Sequence, residues 1–139
     1  MSDEEPNAEL TALAHGMMPF TKELGLEVIA GEPGRVVARA SWSEARTTGG
    51  GVMHGGYLMA LADSVGAACA AFNLPQGART TTIESKTNFL RAVTGGTLRI
   101  EAAPVHVGRS TIVVQTDITR EGDGKLVTRT TQSQAVIGP

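Results

Sequence analysis

The sequence predicts an α+β fold in which a curved antiparallel β-sheet wraps around one long central α-helix. Three observations predict it. Residues 57–72 form one strongly apolar stretch of helical length, a hairpin pattern precedes this stretch, and the chain after Phe72 alternates with the period of β-strands. A sheet with one helix inserted between its strands can bury that helix only by curving around it.

The N-terminal half contains a short helix, a hairpin and a loop. Apolar residues at helical spacing predict a helix near residues 7–18, after residues 1–6, which are expected to fray. Alternating segments at 26–29 and 35–42 flank the turn 32–34 and predict a hairpin. The polar, glycine-dense segment 43–53 then leads directly into the central helix.

The C-terminal half is predicted to be sheet. Strand patterns cover residues 79–90, 98–102, 112–118 and 125–137, with turns at Gly108 and at 122–124. No linker or internal repeat interrupts them. We therefore expect a single domain over residues 1–139.

Composition excludes several classes of function. The net charge is −2, with 12 basic and 14 acidic residues and no basic run, so nucleic acid is not an expected partner. The apolar stretch 57–72 is shorter than the roughly 20 residues that a bilayer requires, so no membrane span is expected. Cys69 is the single cysteine, and the acidic N-terminus is not a signal peptide, so we expect a cytoplasmic protein.

No metal or cofactor is expected either. His15, His54 and His106 lack the short spacings of zinc ligands. The chain has no G-x-S-x-G nucleophile elbow, no dinucleotide fingerprint and no P-loop. Cys69 lies in the apolar stretch, where a core position is expected.

Asp63 is the one charged residue of the central helix. The helix is apolar around its whole circumference and is therefore expected to be buried. A buried carboxylate is destabilising by several kcal/mol unless it is paired, hydrogen-bonded or faces a cavity. Asp63 is either a functional group, or a packing residue that accepts hydrogen bonds from backbone or from a partner subunit.

Two glycines begin this helix. Gly55 and Gly56 allow a ligand to approach the first turn, where free N–H groups and the helix dipole favour negative charge. Such a turn can polarise a thioester carbonyl, whose oxygen becomes an oxyanion during hydrolysis. The alternative is that the glycines only permit close packing of the helix.

The segment H-G-G-Y-L-M-A-L-A-D-S, from His54 to Ser64, resembles the signature of hotdog-fold thioesterases related to phenylacetyl-CoA and 4-hydroxybenzoyl-CoA thioesterases. Further similar segments follow in order at residues 88–96, 105–110 and 123–127. The resemblance implies a hotdog fold and hydrolysis of an acyl-CoA or aryl-CoA thioester. It also implies a homodimer or homotetramer with shared active sites, in which CoA belongs to the substrate and no cofactor is used.

The resemblance assigns roles to individual residues. Asp63 would be the general base or nucleophile, and the Gly55 N–H, helped by Gly56, would bind the thioester oxygen. Thr82 stands where relatives have a Ser or Thr that holds the water. Independently of the resemblance, His54 is expected to be a packing and orienting residue at the helix entrance rather than a general base. Thr48 stands where relatives usually have Asn or Gln, which is a departure from the pattern.

The CoA phosphates have their own candidates. Arg109 and Ser110 match a region that contacts the phosphates in relatives, and Arg91 follows a strand end that the family shares. Each arginine could equally be a solvated surface residue.

Two other functions remain open. The chain could be a non-catalytic acyl-CoA-binding protein, since Thr48 departs from the family pattern. It could also be a hotdog enoyl-CoA hydratase, although those enzymes pair a catalytic His with the carboxylate at a different spacing. The identity of the acyl group does not follow from the sequence.

Overall fold

The structure, a computed structural model, describes residues 4–139. Within these residues, the structure contains three α-helices and six β-strands. The helices are α1 (Ala8–Met17), α2 (Phe20–Glu23) and α3 (Gly55–Ala71), and the strands are β1 (Glu27–Glu32), β2 (Arg35–Ser41), β3 (Arg79–Phe89), β4 (Thr97–Val107), β5 (Thr111–Arg120) and β6 (Leu126–Ile137).

The six strands form one antiparallel sheet in the order β1-β2-β4-β5-β6-β3. α3 packs against one face of this sheet, and the core lies between them. Leu61 and Val65 of α3 are buried against inward-facing residues of the central strands, such as Ile100 and Ile118. The predicted helix-wrapping α+β architecture is confirmed.

The N-terminal helix covers one edge of the sheet. Asn7 caps α1 by accepting a hydrogen bond from the Leu10 N–H at 2.9 Å. The Asn7 N–H donates to Val28 O at 2.7 Å, and the Val28 N–H donates to Thr11 Oγ1 at 2.9 Å. Of the residues that were expected to fray, 1–3 lie outside the described residues, and the Glu4 carboxylate contacts Arg99.

β3 forms the opposite edge. Ten of its eleven residues pair with β6 on one side, and within residues 4–139 no strand pairs with the other side. Ile83, at a bulge in this strand, is 61% exposed, and no proline interrupts the strand. A long edge strand with exposed apolar residues is a template for pairing with another chain.

Candidate functional site

The loop before α3 is held by hydrogen bonds from three directions. Trp42 Nε1 donates to Gly51 O at 2.9 Å, the Met53 N–H donates to Val93 O at 2.8 Å, and the His54 N–H donates to Arg46 O at 2.8 Å. The loop itself turns through Gly50, whose φ of 75° lies in the left-handed region that favours glycine. The start of α3 is therefore fixed relative to the sheet.

His54 is the N-cap of α3. Its Nδ1 accepts a hydrogen bond from the Gly56 N–H at 2.8 Å. Because Nδ1 accepts, the neutral imidazole carries its proton on Nε2. This geometry satisfies the Gly56 N–H inside the chain and gives His54 an orienting position at the helix entrance.

The Gly55 N–H is available to a ligand. It meets no acceptor among residues 4–139, whereas the next N–H along the helix is taken by His54. The ring of Phe89 lies against Gly55, since a Cβ on this residue would be 3.2 Å from Phe89 Cε1. The first turn of α3 therefore presents the free Gly55 N–H beside an exposed aromatic ring.

Asp63 lies on the open side of α3. The expectation that this helix is buried around its whole circumference is wrong for the chain described here. A stripe at helical spacing is half-buried or exposed, and it consists of Gly56, Met59, Ala60, Asp63, Ala67 and Ala71. The stripe is apolar except for Asp63, so the carboxylate is reached from outside the core.

Two donors hold the carboxylate through the same oxygen. Thr82 Oγ1 of β3 donates to Asp63 Oδ1 at 2.8 Å, and Gln132 Nε2 of β6 donates to the same atom at 3.0 Å. No donor from the described part of the chain reaches Oδ2. Asp63 thus has one anchored oxygen and one free oxygen.

The hydroxyl of Thr82 belongs to a longer chain of hydrogen bonds. Gln134 Nε2 donates to Thr82 Oγ1 at 2.7 Å, and Thr80 Oγ1 donates to Gln134 Oε1 at 2.9 Å. An ionised carboxylate can only accept, so Thr82 must donate to Asp63, and this fixes the orientation of the Gln134 amide. Thr82 therefore orients the carboxylate, and one lone pair of its oxygen remains that can accept a hydrogen bond from a water molecule.

Gln132 and Gln134 were not singled out by the sequence, although both are fully buried. They lie on the inward face of β6 with Thr128 and Thr130, so this strand turns polar residues toward α3 where an apolar row would be usual. Polar residues on both faces of a predicted strand are the signal that could have drawn attention to β6.

The remaining candidates lie away from Asp63 within one chain. The Thr48 N–H donates to Val52 O at 2.8 Å in the loop before α3. Arg91 donates to Leu126 O at 2.9 Å, near the start of β6. Arg109 and Ser110 lie in the turn between β4 and β5, where Ser110 O accepts from Val136, near the end of β6. Arg91 and Arg109 are therefore at opposite ends of the sheet.

Gly55 and Asp63 are also separated within one helix. Eight residues of α-helix span about 12 Å along the axis. A donor and a carboxylate that act on the same thioester carbonyl must each approach it to about 3 Å. One copy of the chain therefore cannot place both groups on the same thioester carbonyl.

Cys69 is a core residue. It is fully buried on α3, and burial raises the pKa of its thiol to about 11, so the thiol stays protonated near neutral pH. Among residues 4–139, no three His, Cys, Asp or Glu side chains are grouped so that they could hold a metal ion. No helix in the described residues is long and apolar enough to cross a bilayer.

The fold and the sequence identify the family. The family model described as Thioesterase superfamily matches residues 50–127, which run from the glycine loop to the start of β6. A Saccharolobus solfataricus protein that carries the name "Putative esterase" is 36% identical over 105 residues, which cover 76% of this chain and 74% of that protein. The chain belongs to the thioesterase superfamily.

Solved structures agree. A thioesterase from Haemophilus influenzae is 28% identical, covers 93% of this chain and 88% of its own, and superposes with a TM-score of 0.85. A thioesterase family protein from Silicibacter pomeroyi is 25% identical, covers 94% of this chain and 98% of its own, and also gives a TM-score of 0.85. The resemblance to hotdog-fold thioesterases is confirmed, and the family supports hydrolysis of a thioester as the reaction class.

Proposed function

We propose that the protein hydrolyses an acyl-CoA or aryl-CoA thioester to the free acid and CoA, with Asp63 as the catalytic carboxylate. The observation that supports this proposal is the hydrogen bonding of the Asp63 carboxylate. Its Oδ1 is fixed by Thr82 and Gln132, while Oδ2 has no donor within residues 4–139 and lies on the open stripe of α3. A carboxylate held in this way is oriented for chemistry with an incoming molecule.

The Gly55 N–H is the proposed oxyanion donor. It lies at the positive end of a 17-residue helix, and the loop before it is fixed by hydrogen bonds. A preorganised donor at the point where charge develops contributes about 3 kcal/mol to lowering the barrier. Gly56 and His54 support this donor, since their mutual hydrogen bond shapes the first turn of the helix.

We propose that each active site takes Asp63 from one copy and Gly55 from a second copy. The free edge of β3 supports this arrangement, because Thr82 touches Asp63 near one end of the strand and Phe89 lies against Gly55 at the other end. Antiparallel pairing of two copies of β3 about its middle, near Ser85 and Lys86, would set Thr82 of one copy beside Phe89 of the other. The carboxylate and the oxyanion donor would then face one another across the interface, in a dimer or a dimer of dimers.

Two chemical routes use the same free oxygen. As a general base, Oδ2 takes a proton from water, the water oxygen attacks the thioester carbon, and the tetrahedral oxyanion collapses with release of the CoA thiolate. As a nucleophile, Oδ2 attacks the carbon itself, the thiolate leaves, and water then hydrolyses the mixed anhydride. In both routes the Gly55 N–H binds the oxyanion.

The same pairing accounts for the proposed phosphate ligands. Arg91 lies at the Phe89 end of the sheet, whereas Arg109 and Ser110 lie at the Thr80 end. Antiparallel pairing of two copies of β3 would join their sheets into one. The turn that contains Arg109 in one copy would then lie at the same end of this sheet as Arg91 of the other copy. Guanidinium groups from both copies are then available to the CoA phosphates.

A thioester panel tests the proposed function. We expect release of free thiol from at least one class among phenylacetyl-, benzoyl- and C4 to C16 acyl-CoAs, followed with a thiol-reactive dye. The same acyl group on N-acetylcysteamine, which lacks the nucleotide, is the control and is expected to show a higher KM, because it cannot contact the arginines.

The panel also separates the other functions. Tight binding of CoA thioesters by calorimetry, without thiol release from any substrate of the panel, would identify a binding protein and contradict the proposal. Hydration of crotonyl-CoA in place of thiol release would identify a hydratase. Equal KM values for the CoA and N-acetylcysteamine thioesters would exclude CoA as the recognised carrier.

A further inference from the structure

We propose that Gln132 is a positioning residue for Asp63, that Gly66 makes room for it, and that Oδ2 of Asp63 is the reacting oxygen. This inference rests on the proposed catalytic role of Asp63. It assigns a role in the reaction to β6, a strand in which the sequence motifs place no catalytic residue.

The surroundings of Gln132 do not favour a glutamine for the stability of the fold. The side chain is fully buried, and its Oε1 has no hydrogen-bond partner in the part of the chain that the structure describes. A buried amide oxygen without a partner is unfavourable, and an apolar side chain of equal volume would avoid it. Among residues 4–139, the one hydrogen bond that the Gln132 side chain makes is the bond from Nε2 to Asp63 Oδ1.

Gly66 leaves the space that the Gln132 side chain occupies. It lies on α3 three residues after Asp63, and a Cβ at this position would overlap Gln132 Oε1 and lie 2.7 Å from its Cδ. Glycine is unfavourable inside a helix relative to alanine. The helix therefore has glycine, a weak helix former, at the position where the missing side chain lets the Gln132 amide reach the Asp63 carboxylate.

The two donors also decide which oxygen reacts. Thr82 and Gln132 both bind Oδ1, so a proton that arrives on Oδ2 leaves both hydrogen bonds in place. A proton on Oδ1 would instead place a hydrogen atom against the hydrogens that Thr82 and Gln132 donate to this oxygen. Proton transfer to Oδ2 needs no rearrangement of the buried polar chain.

The first test is Gln132→Met, which keeps the volume of the side chain and removes the donor. We expect kcat to fall by about tenfold to a hundredfold, because the carboxylate is no longer held at one angle. KM for the best CoA thioester should stay within about twofold of the wild-type value, since substrate contacts are unchanged. The melting temperature should equal or exceed that of the wild type, because the unpartnered Oε1 is gone.

Thr128→Val is the matched control. Thr128 lies on the same face of β6, its Oγ1 is also buried without a partner among the described residues, and it makes no hydrogen bond to Asp63. We expect unchanged kcat and an unchanged or raised melting temperature. Wild-type kcat in Gln132→Met would overturn the positioning role, as would a lowered melting temperature that by itself accounts for the lost activity.

The second test uses Gly66. The atoms that an added Cβ meets first belong to the end of the flexible Gln132 side chain, so Gly66→Ala should fold with Gln132 displaced. We expect kcat to fall as in Gln132→Met, and the double variant to fall no further than either single variant. Full additivity of the two losses would contradict a shared mechanism.

Asp63→Asn in the same assays separates this inference from the proposed function. An inactive Asp63→Asn with a fully active Gln132→Met would leave the function intact and refute the positioning role. An active Asp63→Asn would refute the proposed function itself.

Discussion

Replacing Asp63 with Asn is expected to lower kcat for thioester hydrolysis by about 10²- to 10⁴-fold, the usual contribution of a positioned acid or base. The amide oxygen of Asn can still accept the hydrogen bonds that Thr82 and Gln132 donate to Oδ1. Its amide nitrogen then occupies the place of Oδ2, where it can neither take a proton nor attack a carbon. Folding should be preserved while chemistry is lost.

Asp117→Asn is the matched control for this substitution. Asp117 lies on β5 and pairs with Arg129 through bonds of 2.8 Å on the face of the sheet that points away from α3. An exposed ion pair of this kind contributes little to stability, and its loss should leave kcat unchanged. Undiminished thiol release by Asp63→Asn across the whole panel would remove Asp63 from the mechanism.

Replacing Gly55 with Pro is expected to lower kcat by about 10²- to 10³-fold, because it deletes the proposed oxyanion donor. The helix tolerates this change well. Gly55 is the first residue of α3, a position that suits proline, and His54 already has the extended ψ of 134° that a residue before proline requires. The substitution therefore removes one N–H and leaves the helix in place.

Gly55→Ala controls for the added carbon atoms. Its Cβ meets the Phe89 ring at the same 3.2 Å, but the N–H remains. We expect kcat within about tenfold of the wild type for alanine and a much larger loss for proline. Equal losses in the two variants would show that contact with Phe89, rather than the lost donor, limits activity.

Local sequence patterns predicted the elements of this fold well. The apolar stretch that begins after Gly55-Gly56 gave α3, which ends at Ala71, and alternation gave strands that the structure extends or trims by a few residues. The signals are local: capping, periodicity and turn residues act over a few positions. Strand order is not local, so the pairing of β3 with β6 and the free edge of β3 came only from the structure.

The sequence predicted those site residues that differ in type from their neighbours in the chain. Asp63 interrupts an apolar helix, and Gly55 begins it, so both stood out. Gln132 did not, because its role depends on which strand lies beneath Asp63 and on the absence of a side chain at Gly66. The exposed stripe of α3 was also missed, since composition alone does not distinguish an apolar surface that meets the core of its own chain from one that another molecule can cover.

Complementation between two inactive variants tests the shared active site most directly. Asp63→Asn and Gly55→Pro copies carrying different affinity tags would be co-expressed, and mixed oligomers isolated on both tags. Each mixed pair contains one site with an intact Asp63 from one copy and an intact Gly55 from the other, so we predict about half of the wild-type kcat per dimer. Mixed oligomers as inactive as their parents would contradict the account, because they would place both groups of each site in the same copy.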